Sequence, residues 1–138
     1  MNIKSGMDRN KICGTWRINR VNDNFAEVFL YGDIGSWGDG VSADEFAREL
    51  KSLKVTDITA RINSGGGSVF EGQAIYNSLV NHPARVNVVI DGIAARIASV
   101  IARDVDNIRI TEGSHILVHK PWSMAMGDAN LCARKRRY

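Results

Sequence analysis

The sequence predicts an α/β domain with a mainly parallel sheet, because strand-like and helix-like segments alternate over about 100 residues. Two further observations support this fold class. Small-residue corners follow two of the strands, at 65–68 and 92–97, and α/β sheets place their sites where strands end and helices begin. The chain of 138 residues is also long enough to bury a single hydrophobic core.

The first predicted strand and helix rest on periodicity and capping. Residues 25–32, FAEVFLYG, alternate apolar and polar positions and are rich in aromatic and β-branched side chains, which predicts a strand. A glycine-rich loop follows. Ser42 and Glu45 have the spacing of a capping box, so we expect a helix over 43–53 with Ser42 as its N-cap.

The remaining segments continue the alternation. Apolar and β-branched runs predict strands, and apolar residues at helical spacing predict helices. We expect strands at 57–64, 85–92, 107–111 and 115–121, and helices at 69–82 and 94–103.

Composition excludes several classes of protein. The net charge is only +3, and the basic end ARKRRY is typical of a solvated tail rather than of a nucleic-acid site. No apolar run is long enough to span a membrane, and the first residues lack the apolar core of a signal peptide, so a cytoplasmic location is expected. Cys13 and Cys132 have no CxxC spacing and are interpreted as reduced thiols, with no metal site.

The first corner, 65–68 or GGGS, is called the glycine corner. Its glycines allow positive φ and close approach of a ligand to the backbone. No phosphate-binding motif of the GxxxxGK[ST] type is present, and we expect no cofactor. Two interpretations stay open at this point, a tight turn and an oxyanion hole made of backbone N–H groups.

The second corner, 92–97 or GIAARI, is called the Arg96 corner. Small residues surround Arg96, which is typical of a corner that presents one side chain at the start of a helix. A long cation is unusual there, because the helix dipole disfavours positive charge at that end.

With both corners described, the chain resembles the Clp protease proteolytic subunit (ClpP) family from about residue 25 to 127, and the phage head-maturation branch most closely. Its motifs occur in family order as AEVFLYGDIG, INSGGGSVFEGQAIYNSL, GIAARIASVIA and HILVHKPWSMAMG. The family corner S-P-G-G has Gly65 in place of proline. The nucleophile corner G-x-A-A-S has Arg96 in place of serine, and the H-x-P motif of the base matches His119 and Pro121.

The resemblance implies a ClpP/crotonase-like spiral of ββα units and a serine endopeptidase. In such an enzyme a serine attacks the peptide carbonyl, a histidine takes its proton, and an aspartate orients the histidine. The resemblance assigns the nucleophile position to Arg96 and the base to His119. It assigns the oxyanion hole to the N–H groups of Gly66 or Gly67 and of Ile97.

Two departures from the family pattern predict that this chain is impaired or inactive. Arginine stays protonated and offers only donors, so Arg96 cannot be a nucleophile, and we expect its head to reach solvent or a carboxylate. Ser99, one helical turn further on, is expected to have a structural role. The family's aspartate lies beyond a helix and strand that we do not find, and Asp128 is too close to His119 in sequence to replace it.

The predicted organisation is a leader over 1–24 with one short strand, the N-terminal part of a ClpP-like domain over 25–127, and a basic tail over 128–138. Protein or peptide substrates and a homo-oligomer follow from the resemblance, with capsid or scaffold proteins or an ATP-driven Clp unfoldase as partners. Two alternatives remain open: a non-catalytic homologue that binds or assembles, and a crotonase-like acyl-CoA enzyme, which shares the spiral and a backbone oxyanion hole.

Overall fold

The computed structural model describes residues 15–35, 42–103 and 105–120. Six strands and three helices are present in these ranges. They are β1 (Thr15–Arg20), β2 (Phe25–Tyr31), α1 (Ala43–Ser52), β3 (Asp57–Ser64), α2 (Val69–Val80), β4 (Arg85–Ala95), α3 (Ile97–Ile101), β5 (Asn107–Ile110) and β6 (His115–Leu117).

The six strands form one mainly parallel sheet in the order β1-β2-β3-β4-β5, with β6 also paired to β4. Only β1 is antiparallel to its neighbour. The long strand β4 pairs with β5 through residues 87–90 and with β6 through residues 93–95. The predicted α/β class is therefore confirmed, and β6 lies beside the end of β4, where the Arg96 corner begins.

The core lies between one face of the sheet and the three helices. Side chains of β2 and β3 alternate between this buried face and a mostly half-buried outer face, as expected for strands with a side-chain period of two, whereas in the central strand β4 residues 88–90 are all buried. Each fully buried large apolar side chain contributes about 1.5–3 kcal/mol. The largest are Phe46, Leu30, Ile34, Leu50, Ile58, Ile62, Ile75, Leu79, Ile90 and Ile101.

The N-terminus of α1 is capped differently from the sequence prediction. Ser42 is the N-cap residue, but its side chain makes no capping hydrogen bond. The N–H of Ala43 instead donates to Glu71 Oε2 of α2 at 2.7 Å. The capping-box prediction was therefore wrong, because a carboxylate from a neighbouring helix supplies both an acceptor and a negative charge at the positive end of α1.

Helix α3 is shorter than predicted and begins at Ile97. Ala94 and Ala95 belong to β4, where they pair with Ile116 and Leu117 of β6. Alanine favours helices, but ladder pairing with a neighbouring strand overrides that weak local preference. The strand therefore runs directly to Arg96, which makes the turn into the helix sharp.

The short strand expected within residues 1–24 is β1, which pairs with β2 along its whole length. Residues 21–24 of the predicted leader connect β1 to β2, whereas residues 1–14 lie outside the described residues, as do the basic tail, Cys132 and Asp128. Among the helices of the described ranges, none has the length and apolar character needed to cross a membrane.

Candidate active site

The two corners meet at the carboxyl ends of β3 and β4. A side chain at Gly66 would place its Cβ 2.8 Å from both the Ala95 carbonyl oxygen and Arg96 Cβ, so only glycine permits this approach. The strand ends are joined by Asn63, whose Oδ1 accepts a hydrogen bond from the Ile93 N–H at 3.2 Å. The sheet thus brings together the two segments that the sequence singled out.

The Arg96 corner holds a backbone conformation that is rare for arginine. Its φ is 54° and its ψ is −123°, and it is the only non-glycine residue with positive φ in the described part of the chain. Such a conformation costs about 1–3 kcal/mol and persists where surrounding contacts enforce it.

Hydrogen bonds on both sides of Arg96 enforce this conformation. Its N–H donates to the Leu117 carbonyl of β6 at 3.1 Å. Its carbonyl accepts from Ser99, from the N–H at 3.1 Å and from Oγ at 2.6 Å. Ser99 therefore fixes the corner, and its hydroxyl hydrogen is engaged with the backbone.

The side chain of Arg96 reaches His119. Arg96 Nε donates to His119 Nε2 over 3.3 Å, and His119 Nδ1 lies 2.9 Å from the Lys120 carbonyl oxygen. Since a carbonyl only accepts, Nδ1 carries the ring hydrogen and the Nε2 lone pair accepts from Arg96. Arg96 is exposed, and no carboxylate of the described residues forms an ion pair with it.

The N–H groups of the two corners are not equivalent. The Gly66 N–H donates to Ser64 Oγ at 3.1 Å, and Ser64 is only 1% exposed. Gly67 and Ile97 make no N–H hydrogen bond to an acceptor within the described residues. Of the three predicted oxyanion-hole donors, Gly67 and Ile97 are therefore available, whereas Gly66 is occupied.

Gly67 is held by the segment that follows β2. Ile34 forms a parallel bridge with Gly67, and its N–H and carbonyl bond to Gly66 and Ser68 at 3.0 and 2.7 Å. Gly67 has a φ of 149°, and a Cβ there would lie 2.1 Å from the Ile34 carbonyl oxygen. The free Gly67 N–H is consequently fixed in place before any ligand arrives.

A cleft of about 380 Å³ lies between the two corners and His119. Its remaining walls are Ser99 and the apolar side chains of Val69, Ile97, Val100 and Val118. A larger cleft of about 680 Å³ lies at the amino ends of the strands, between the ends of α1 and α2, and none of the predicted site residues lines it. The chemistry-bearing residues therefore belong to the smaller cleft.

The structure thus brings Arg96, His119, Gly66, Gly67 and Ile97 to one place. The sequence did not point to Ser64 and Asn63, because a polar residue at the end of a strand carries no signal of which backbone group it will bind. Within the described ranges, no three His, Cys, Asp or Glu side chains are grouped so as to hold a metal ion.

A second polar cluster lies on the outer face of the sheet. Asp91 accepts from Tyr31 Oη at 2.6 Å and from Arg61 Nε and Nη2 at 2.8 and 2.6 Å. Burial alone raises the pKa of Asp91, but the hydrogen bonds from Arg61 and Tyr31 outweigh it and hold that pKa below its usual value. Burial and the bond to Asp91 raise the pKa of Tyr31.

Fold and site together define a class of protein. A sharp strand-to-helix corner that faces a histidine and free backbone N–H groups is the layout of α/β hydrolytic enzymes that use a nucleophile at the corner. The model of the Clp protease family matches residues 22–137, so the chain belongs to the Clp protease family. The family predicted from the motifs is therefore confirmed.

Relatives and solved structures agree with this assignment. The ATP-dependent Clp protease proteolytic subunit of Bacteroides fragilis is 34% identical over 103 residues, 70% of this chain and 50% of that protein. The subunit of the same name from Cyanophora paradoxa is 38% identical over 69 residues, 49% of this chain and 36% of that protein.

Among solved structures, the ClpP protease catalytic domain from Plasmodium falciparum matches with a TM-score of 0.52 and 29% identity. That match covers 67% of this chain and 53% of the Plasmodium chain. The chain therefore spans about half or less of the length of the relatives it matches.

Proposed function

We propose that this chain is a ClpP-like serine-endopeptidase homologue that does not hydrolyse peptides, because arginine occupies the nucleophile position. The observation that carries the proposal is the contact between Arg96 Nε and His119 Nε2 at 3.3 Å. In the family mechanism that imidazole nitrogen removes the proton of the nucleophile. Here that nitrogen accepts a hydrogen bond from a guanidinium, which stays protonated near neutral pH and therefore does not transfer a proton to it.

The state of His119 supports the same conclusion. The single lone pair of Nε2 already accepts a hydrogen bond from Arg96 Nε, so it has no capacity left to accept one from a nucleophile. The ring also donates to a backbone carbonyl instead of to a carboxylate, which would stabilise the imidazolium that forms during catalysis. His119 therefore lacks the surroundings that make a histidine a useful general base.

The substrate-binding half of the site remains intact in this proposal. The Gly67 and Ile97 N–H groups are free of protein acceptors in the described ranges, and the cleft beside them has a volume of about 380 Å³. Such donors stabilise a carbonyl oxygen whether or not a bond is cleaved. This observation favours the second candidate, a non-catalytic homologue that binds polypeptide or assembles with other subunits.

The phage or prophage head-maturation type is proposed from the wording of two motifs, VFEGQAIYN and HKPW. Protein or peptide substrates, capsid or scaffold partners, a Clp-type ATPase partner and a cytoplasmic location belong to the same proposal. A homo-oligomer is supported by apolar side chains that β5 and β6 leave between 43% and 50% exposed, on Ile108, Ile110, Ile116 and Leu117.

A fluorophosphonate probe tests the absence of catalysis, because it reacts covalently with an activated serine. We expect the native chain at neutral pH to be labelled no more than the heat-denatured chain, which defines the background. Labelling above that background at any serine would overturn the proposal, and the labelled position identified by mass spectrometry would name the true nucleophile.

A further inference from the structure

We propose that the cleft between the two corners binds the C-terminal carboxylate of a polypeptide, with Arg96 as the cation that holds it. The inference rests on the proposed function only in that the cleft accepts polypeptide. It assigns Arg96 a binding function at the position that the family uses for its nucleophile. The guanidinium, together with the backbone donors, would then hold a carboxylate.

Arg96 retains unused hydrogen-bonding capacity. Its Nε donates to His119, which leaves the two terminal Nη groups without a hydrogen-bond acceptor or ion-pair partner among the described residues. The contact with His119, which lines the same cleft, holds the guanidinium beside it. A guanidinium fork held in this way matches the two oxygens of a carboxylate.

Gly67 supplies a neutral donor in the same cleft. Its N–H is free of acceptors in the described ranges, and its position is set by the bridge to Ile34. Because the donor is already fixed, binding an anion there requires little reorganisation of the backbone. Arg96 and Gly67 both line the cleft, so the cleft offers a bound anion both a cation and a backbone donor.

The apolar walls favour a chain terminus over an acidic side chain. Val118 and Val69 are 76% and 62% exposed, and both line the cleft together with Arg96. In a C-terminal residue the carboxylate and an apolar side chain are attached to the same carbon, so they can occupy the charged and apolar parts of one small cleft. An aspartate or glutamate side chain carries its carboxylate without an apolar group next to it.

The experiment measures fluorescence anisotropy of three labelled peptides with the full chain. The first ends in a leucine with a free α-carboxylate, the second ends in leucinamide, and the third ends in glutamate α-amide, whose only carboxylate is in the side chain. We expect the first to bind about ten- to a hundredfold more tightly than either amide, the range for a hydrogen-bonded ionic contact.

Variants separate a role of Arg96 from general electrostatics. Arg96→Gln should remove the preference for the free acid, whereas Arg48→Gln should keep it. Arg48 is a matched control, since it is an exposed arginine of α1 paired with Asp44, and its loss changes the net charge equally. Arg96→Lys should weaken acid binding severalfold, because an ammonium group lacks the planar fork.

The inference would be overturned by equal binding of acid and amide, or by no binding of any peptide at millimolar concentration. Unchanged acid binding by an Arg96→Gln variant whose circular dichroism spectrum is native would overturn it as well. Preference for the side-chain carboxylate would also overturn it. Fluorophosphonate labelling of the native chain would instead overturn the proposed function and leave the anisotropy result standing, so the two failures are distinguishable.

Discussion

Arg96 Nε lies 3.3 Å from His119 Nε2 and donates a hydrogen bond to it. The contact links the end of β4 to the residues after β6, two segments that also share a ladder of three residue pairs. The corner keeps its rare backbone conformation even though arginine is poorly suited to it, because the Leu117 carbonyl and Ser99 hold both sides of the turn. The backbone framework of the corner is thus maintained with arginine at the position that the resemblance assigns to the nucleophile.

Restoring the nucleophile should recover only weak activity. Arg96→Ser places a hydroxyl on the corner and frees His119 Nε2, but Nδ1 still donates to a backbone carbonyl. Without a carboxylate to hold the imidazolium, a family-type triad loses several orders of magnitude in kcat. We expect fluorophosphonate labelling and slow cleavage of a fluorogenic peptide, both absent in the native chain.

Arg96→Ala is the matched control, since it removes the same cation without adding a nucleophile, and it should remain unlabelled. Turnover by Arg96→Ser at the level of an intact Clp protease would contradict the importance assigned to the carboxylate. Labelling of Arg96→Ala would show that another serine reacts.

Alanine substitutions at two positions of the glycine corner should have opposite effects on the free energy of unfolding. Gly67→Ala should destabilise the protein by at least about 2 kcal/mol, because its φ of 149° and a Cβ contact of 2.1 Å with Ile34 leave no room. Gly65→Ala is the matched control: nothing lies within 4 Å of its Cβ, and loss of unfolded-state entropy should stabilise by about 0.4–1 kcal/mol. Urea denaturation followed by circular dichroism measures both, and equal effects would contradict the assigned geometry.

The packing of α2 on α3 depends on Gly72. A Cβ at this position would lie 2.2 Å from Ile97 Cγ1, so Gly72→Ala should cost about 1–3 kcal/mol from overpacking, offset in part by about 1 kcal/mol of helix propensity. In a double-mutant cycle, Gly72→Ala with Ile97→Ala should be less destabilised than the sum of the single variants. Additive effects would show that the two positions do not touch.

Strands and the long helices could be predicted from the sequence because periodicity is a local property. The pattern of 57–64 predicted β3 with both ends correct, and the helix predicted over 43–53 is α1. The start of α3 was missed because Ala94 and Ala95 are governed by pairing with β6, which no local pattern contains. Ser42 was correctly predicted as the N-cap residue of α1, but the side chain that accepts from the Ala43 N–H was missed, since Glu71 is distant in sequence.

The site was predictable as a set of positions but not as a set of contacts. Motif order indicated Arg96 and His119, yet the direct bond between them depends on how β6 is placed against β4. The glycine corner was visible in the sequence, but the sequence did not show which of its N–H groups would be hydrogen-bonded within the protein and which would be free. This difference depends on the buried Ser64, whose hydroxyl oxygen accepts from the Gly66 N–H and leaves the Gly67 N–H without an acceptor among the described residues.

The cluster of Tyr31, Arg61 and Asp91 should make stability depend on pH. The hydrogen bonds to Asp91 hold its pKa in the folded protein below the value near 3.9 of an unfolded aspartate. Its contribution is therefore fully present above about pH 4 and is lost as the pH falls through the folded pKa. Asp91→Asn should destabilise by about 1–3 kcal/mol at pH 7, because it leaves the 28% exposed Arg61 side chain without its main partner.

The difference between native chain and Asp91→Asn should shrink as the pH falls below about 4, since a protonated Asp91 no longer attracts Arg61. At the alkaline end, burial and then Asp91 raise the pKa of Tyr31, so its contribution is lost as the pH rises through that raised value. Asp23→Asn is the control, since its partner Arg20 lies at the surface, and it should change stability by less than about 0.5 kcal/mol. Urea denaturation of all three proteins between pH 3 and pH 7 measures the effect. A constant difference between native chain and Asp91→Asn across that range would show that the Asp91 carboxylate does not stabilise the sheet through its charge.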